Sequence, residues 1–432
     1  MKRIVNTLLL IALCLLLSAC GAEAPAPASE STPPEEELSE PAAEAAPADE
    51  ALRDENGDLL FPNGSTYRGN EIRIKLPGLL GADVERTIAL LGEMPNLRTV
   101  DLGEKQGARG LSLQRLWQLQ QACPEINFIY RFTLWNQELS TQDTELDLKY
   151  IPMVDEGAMV MRLLRCMPRC RSLDMDSCGV SSEAMARIRE AFPDVEVNWR
   201  VWFGKEFSVR TDCERIIATN HLNDDNCRDL KYCTKVRFLD VGHNPNLSDI
   251  SFLTDMTELE ACILAIMPFR DLTPLTNCTK MEYLELCEVI PHPGKVLDLA
   301  PLAGMTHLRH LNICKLYEVE NYEFLENCTD LERLWIGKLT YIPTEYVDHL
   351  KEALPDTQIN WWTQVCVTET WREDPPGVWV PRYAELREQF DYNHYDKAVS
   401  YWWNDPLCRG NEGNLERAAQ QKLEENNQQS KE

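Results

Sequence analysis

Seven segments of the chain share one spacing: Met or Cys, then Pro or Thr, then apolar residues at the fourth, seventh and ninth places. They begin at Met94, Met167, Cys233, Met256, Cys278, Met305 and Cys328. The apolar places read Leu97, Val100 and Leu102 in the first segment and Leu331, Leu334 and Ile336 in the last. From Cys233 to Cys328 the successive starts lie 23, 22, 27 and 23 residues apart. A unit this short supplies one strand and one return. It has too little chain to bury its own apolar face, so the units must stack.

The middle units also close alike, in Asp-Ile-Ser-Phe-Leu (249–253), Asp-Leu-Thr-Pro-Leu (271–275), Asp-Leu-Ala-Pro-Leu (298–302) and Asn-Tyr-Glu-Phe-Leu (321–325). The pattern resembles the leucine-rich repeat, and these closing segments are similar to the convex-side turns of internalin-like bacterial repeats. The resemblance implies an α/β solenoid, with a curved parallel sheet on the concave side and helices and short turns on the convex side. The Asn that usually caps the turn in such repeats is clear only at Asn244, with Cys178 at the equivalent place. Met267, Val289, Leu316 and Leu339 fill that slot elsewhere.

Degenerate strands fill the longer gaps before Cys233. Residues 72–74 match 146–148, and Pro-Glu-Ile-Asn-Phe-Ile-Tyr (124–130) matches 193–199 and 355–361, the last two after amphipathic helices over 182–192 and 345–354. Residues 138–141 and 206–209 form a further matching pair. Residues 71–365 therefore read as about a dozen stacked units, with a sheet about 60 Å long if continuous. The units are longer and more helical over 71–232 and shorter over 233–365. The other arrangement is two arrays separated by a hairpin near 200–209. Residues 366–408 break the pattern with Trp371, Trp379, Tyr383, Phe390, Tyr392, Tyr395, Tyr401, Trp402 and Trp403. A helix from Pro381 to about Tyr401 would cap the open solenoid end with aromatics. Residues 409–432 are a polar tail.

The chain opens on Lys2 and Arg3 and an apolar run over 4–17, right for a secretory h-region. It ends in Leu17-Ser18-Ala19-Cys20, which resembles the bacterial lipobox. That resemblance implies removal of residues 1–19 and a diacylglyceryl group on Cys20, hence a lipid-anchored protein on the extracytoplasmic face of a bacterial membrane. Several acyl chains hold a protein at a bilayer more firmly than one. Residues 21–50 carry nine acidic residues, no Lys or Arg, and many Pro and Ala, so residues 20–55 read as an extended tether.

Forty-three basic residues against 70 acidic ones give a formal charge of -27, which excludes a nucleic-acid partner. Among 16 cysteines, Cys233, Cys278 and Cys328 share a core slot two units apart, too far for a disulfide. Cys287 and Cys314 share a slot on adjacent units, and their bridging stays open. His307, His310 and Cys314 lack a completing ligand set, so neither metal nor cofactor is expected. No phosphate loop, zinc-helix motif or nucleophile elbow is present, and no enzymatic activity is expected.

The concave face is the site the pattern points to. Between the inward apolar positions stand Asp101, Asp174, Asp240, Ile263, Glu285, Asn312 and Trp335, and one register earlier Phe238, Tyr283, His310 and Arg333. Rigid adjacent strands present such residues as a preorganised ligand surface, and the carboxylates favour a cationic partner. The expectation is a monomeric adhesion or protein-interaction module. The alternatives are a glycan or cell-wall binder, or a wall hydrolase with its site in the aromatic C-terminal region.

Overall fold

The computed structural model describes residues 52–105, 110–203, 208–289, 296–366 and 371–392. The signal segment, Cys20, most of the tether, Tyr395, Tyr401, Trp402, Trp403 and the polar tail lie outside the described residues. Folded structure starts before the expected boundary. Arg53 donates to the Gly57 carbonyl at 2.7 Å and Leu60 N–H to Leu52 O at 2.9 Å, so residues 52–55 belong to the fold, not to the tether. They lead into a hairpin of β1 (Leu59–Leu60) and β2 (Thr66–Tyr67).

Two similar blocks follow. In the first, β3 (Arg73–Lys75), α1 (Val84–Gly92), β4 (Thr99–Glu104), α2 (Leu113–Ala122) and β5 (Asn127–Leu134) end in an antiparallel return, β6 (Gln137–Ser140). The second runs through β7 (Glu145–Asp147), α3 (Ala158–Arg165), β8 (Ser172–Asp174), α4 (Ser182–Ala191) and β9 (Glu196–Asn198) to a hairpin of β10 (Arg200–Trp202) and β11 (Ser208–Arg210). Both hairpins are fastened by one threonine. Thr141 Oγ1 accepts from Tyr130 N–H at 3.1 Å and its own N–H donates to Tyr130 O, while Thr211 makes the same two bonds with Trp199.

The third block is built from the short units. Strands β12 (Arg215–Ile217), β13 (Phe238–Asp240), β14 (Ala261–Ile263), β15 (Tyr283–Glu285), β17 (His310–Asn312), β19 (Arg333–Trp335) and β20 (Gln358–Asn360) form one seven-stranded parallel sheet. Beside it, β16 (Leu297–Asp298) pairs with β18 (Val319–Glu320), and α5 (Thr344–Ala353) closes the last unit. The register is strict: Leu239, Cys262, Leu284, Leu311 and Leu334 stand in line and all face the core. The closing motifs form single 3-10 turns. In three of them the leading Asp accepts from the N–H two residues on, as Asp249 from Ser251, Asp271 from Thr273 and Asp298 from Ala300, at 2.8–2.9 Å, while in the fourth Asn321 donates to Asp298 at 2.8 Å.

The described residues thus form an α/β leucine-rich-repeat solenoid, with its strands divided among a four-, a three- and a seven-stranded sheet and three two-stranded pairs. The expected uninterrupted sheet is corrected. Antiparallel returns at β6 and at β10–β11 take up the strand edges, so the ladder restarts after each. Turn geometry is kept where the capping Asn is missing. Asn244 donates to Ala218 O at 2.9 Å and accepts from Leu222 N–H at 2.9 Å. In a later unit Thr340, next to Leu339, donates to Ile313 O at 2.5 Å and accepts from Leu316 N–H at 3.1 Å.

Candidate functional site

In a three-residue strand the first and third side chains share the face opposite the core. On β13 to β19 that concave face carries Phe238 and Asp240, Ala261 and Ile263, Tyr283 and Glu285, His310 and Asn312, and Arg333 and Trp335. All ten residues are buried. The covering material is the C-terminal chain itself: Cys366, Trp371, Arg372, Val380, α6 (Pro381–Gln389), Phe390 and Tyr392.

The cover meets the wall residue by residue. Trp371 lies with its ring centroid 5.3 Å from Trp335, 5.6 Å from His310 and 5.8 Å from Tyr283. Its Nε1 donates to Glu285 at 2.8 Å. Arg372 takes the same carboxylate in a fork, Nε to Oε1 at 2.8 Å and Nη2 to Oε2 at 2.5 Å. The Tyr283 hydroxyl also donates to Glu285. Burial alone would lower the Arg372 pKa, but the Glu285 charge, together with Tyr383, Tyr392 and Tyr283, offsets it and holds the guanidinium well above its ordinary value. Both side chains are nearly sealed from water, at 2% and 0% exposure. Removing one partner of such a pair typically costs about 3–5 kcal/mol, because the other charge stays buried alone.

Further along, Tyr392 donates to Asp240 Oδ2 at 2.6 Å, and burial, then the Asp240 charge, pushes its pKa well up. Phe390 stacks 5.2 Å from Phe238, and Arg215 donates to Asp391 O at 2.9 Å. At the opposite end Asn312 Nδ2 donates to Cys366 O at 2.5 Å. Arg333 lies 4.6 Å over the Trp335 ring and donates to Gln358 at 2.6 Å. The rim is ionic, with Arg382 on Glu282 at 2.6 Å and Arg309 on Glu385 at 3.3 Å.

Two expectations are corrected here. Phe238, Asp240, Tyr283, Glu285, His310, Asn312, Arg333 and Trp335 do form one surface, but as the floor of an internal interface and not as an open groove. As far as it is described, the aromatic C-terminal segment covers this wall and not the solenoid end, and its helix stops at Gln389, short of the expected Tyr401. The physical reason is apolar matching. Phe238, Ile263, Tyr283 and Trp335 make this stretch of wall too hydrophobic to face water, and the aromatics after residue 370 supply the apolar area that covers it. The signal available in the sequence was this very shift from Asp to aromatic residues along the concave positions.

Asp101 and Asp174 belong to the other stretch of wall, on β3 to β9, which the described part of the C-terminal segment does not cover, although the β10–β11 hairpin reaches Asp174 at its end. Its outward residues include Arg73, Lys75, Asp101, Arg131, Glu145, Asp147, Asp174 and Glu196, all exposed or half-buried. Asp101 lies 3.8 Å from Arg131 and 3.9 Å from Arg73. Asp174 accepts from Arg210 at 2.9 and 3.2 Å, and Lys149 stands 3.7 Å away. Behind it Arg200 forks onto Asp176 with two bonds of 2.8 Å. Burial would raise the Asp176 pKa, but the Arg200 hydrogen bonds and charge bring it below the ordinary carboxylate value. Sequence reasoning missed Asp176, Arg200 and Arg210, which lie off the repeat pattern on the turn after β8 and on the hairpin.

Among the described residues no group of three or more His, Cys, Asp or Glu is arranged to hold a metal ion, and no helix is long and apolar enough to cross a membrane. No protein-family model and no curated protein sequence matches the chain. Among solved structures it is similar to an internalin (inlF) of Listeria monocytogenes, at 14% identity over 71% of this chain and 86% of that one, with a TM-score of 0.30. A second similar structure is internalin C2 of the same organism, at 14% identity over 66% of this chain and 85% of that one, with a TM-score of 0.26. A third is a leucine-rich-repeat protein of Leptospira interrogans, at 12% identity over 63% of this chain and 74% of that one, with a TM-score of 0.22.

Proposed function

We propose that the protein is a non-enzymatic interaction module that takes a protein ligand with a basic face, displayed outside a bacterial membrane from a lipidated Cys20. One observation carries the reading. The concave wall of β13 to β19 already holds a stretch of polypeptide through forked, aromatic and backbone contacts, so the surface is of a kind that recognises protein chain. The same wall continues over β3 to β9 without that cover among the described residues. There the strands present Asp101, Glu145, Asp147, Asp174 and Glu196 against Arg73, Lys75 and Arg131, while Lys149 and Arg210 pair with Asp174 from outside these strands. An acidic excess on rigid strands steers and orients a cationic partner. The hydrolase alternative loses its site as far as the chain is described, because Trp371, Tyr383, Phe390 and Tyr392 are buried in the cover.

The glycan alternative has one feature in its favour. Tyr341 and Trp362 are 56% and 61% exposed, beside a shallow depression lined by Lys338, Pro343 and Trp361. A displayed peptide library panned on the full chain separates the two. Enrichment of Lys- and Arg-rich peptides, with binding weakened about tenfold or more by Glu145→Lys with Asp147→Lys, is the expected result. Binding insensitive to these reversals, or capture of soluble wall glycans in place of any peptide, rejects it. The anchor is checked separately, by loss of labelled palmitate from a Cys20→Ala chain expressed in a bacterial host.

A further inference from the structure

The third block and its cover bring together three cysteines that the sequence keeps apart. Cys287 and Cys314 follow β15 and β17 at matching places, and Cys366 opens the covering segment. All three are buried in the apolar layer between wall and cover. Cys314 and Cys366 are held together by a single amide. Asn312 Oδ1 accepts from Cys314 N–H at 3.0 Å, and Asn312 Nδ2 donates to Cys366 O at 2.5 Å. Both side chains belong to the one buried cluster that the wall and the cover share. The Cys314 sulfur fills the space over Gly337, where a Cβ would approach it to 2.8 Å, so it has no room to swing away on that side.

We propose that Cys314 and Cys366 are a disulfide-forming pair that fastens the C-terminal cover over the concave wall. The oxidant is a small-molecule disulfide, RSSR. One cysteine thiolate attacks it, forming a mixed disulfide and releasing one RSH. The second cysteine then displaces the other RS group, so that two thiols lose two protons and two electrons, one S–S bond forms and RSSR is reduced to two RSH. The first attack takes place with the cover lifted, because a thiol sealed in an apolar layer stays protonated and unreactive. Once the cover docks, the bond is shielded from reductant by the same burial. The ring so closed takes in β18, β19, α5 and β20, and it decides whether the β13 to β19 wall can be exchanged from its own chain to another. It is distinct from the Cys287–Cys314 bridge, which would join two adjacent coils of the wall and leave the cover unfastened.

The full chain, equilibrated with oxidised and with reduced glutathione and then alkylated and digested without reductant, tests this. A peptide linking residues 314 and 366 is expected in the oxidised sample, lost in Cys366→Ser and kept in Cys287→Ser. Amide exchange over residues 371–392 is expected to slow roughly tenfold on oxidation of the wild-type chain, and to be insensitive to glutathione in Cys366→Ser. A link between residues 287 and 314, or alkylation of all three thiols after exposure to oxidised glutathione, overturns the proposal. The wild-type peptide map decides the matter even where a variant fails to fold.

Discussion

His310 shows what covering the wall does to a single group. It is 1% exposed, with the Tyr283 and Trp371 rings each 5.6 Å away and the Glu332 carboxylate 3.4 Å from Nε2. Burial, and then the charges of Arg333, Arg309 and Arg382, bring its pKa down to about 3. The unfolded chain titrates this group near the ordinary value of about 6.5. Between those two values the unfolded state holds a proton that the folded state lacks. Stability therefore rises with pH through that window, by at most about 1.4 kcal/mol per pH unit from this residue, and gains nothing further from it above about pH 6.5. Urea unfolding of wild type and His310→Gln at about pH 4.5 and about pH 7 checks the sign, the variant losing part of the wild-type slope; equal slopes count against it. At this scale the sequence is legible where a side chain is in the repeat slot, as at Asn244. It is silent where a neighbour takes over, as Thr340 does beside Leu339.

Among elements, seven coils leave their strand through one residue of positive φ in a fixed place, three after the strand's last residue. Tyr150, Ser177, Asn220, His243, Ile266, Glu288 and Lys315 have φ between 58° and 64°. The shared kink sends the chain off the sheet while the kinked residue's own N–H reaches the neighbouring coil, as His243 N–H reaches Ala265 O and Glu288 N–H reaches Cys314 O. The left-handed region is disfavoured for a side chain branched at Cβ by about 1–2 kcal/mol, and Asn tolerates it best after Gly. Asn220 is exposed, so its substitution tests backbone strain with little loss of packing. Asn220→Val is expected to cost about 1–2 kcal/mol, read as a lower urea midpoint at unchanged slope, and Asn220→Gly to be near neutral. Spacing revealed the strands and the helices over 182–191 and 344–353, because both depend on local apolar period. The hairpins were half visible, as matched pairs at 138–141 and 206–209. Their antiparallel direction depends on the pairing edges left open by the preceding strand, which no local period encodes.

At the level of the whole molecule, the sequence marked the concave residues but not what lies against them. A repeat pattern specifies the contacts of a coil with its neighbours and leaves the free wall unspecified. The cover is joined to the wall by contacts between residues more than fifty positions apart, such as Glu285 with Arg372 and Asp240 with Tyr392. In a solenoid each coil is stabilised mainly by its neighbours, so damage stays local. A chain ended after Val365 keeps every strand of the three sheets but uncovers Phe238, Ile263, Tyr283 and Trp335 and leaves the Glu285 carboxylate without Arg372. Amide exchange is therefore expected to accelerate over β13 to β19 and to stay within about twofold of wild type over β3 to β9, with new binding of an apolar dye. Uniform acceleration through all three blocks would mean that the cover supports the entire coil cooperatively. Unchanged exchange over β13 to β19 would mean that it merely rests on a wall stable without it. Between these outcomes lies the arrangement the contacts describe, in which an exposed charged stretch of wall and a self-occupied aromatic stretch share one scaffold and open independently.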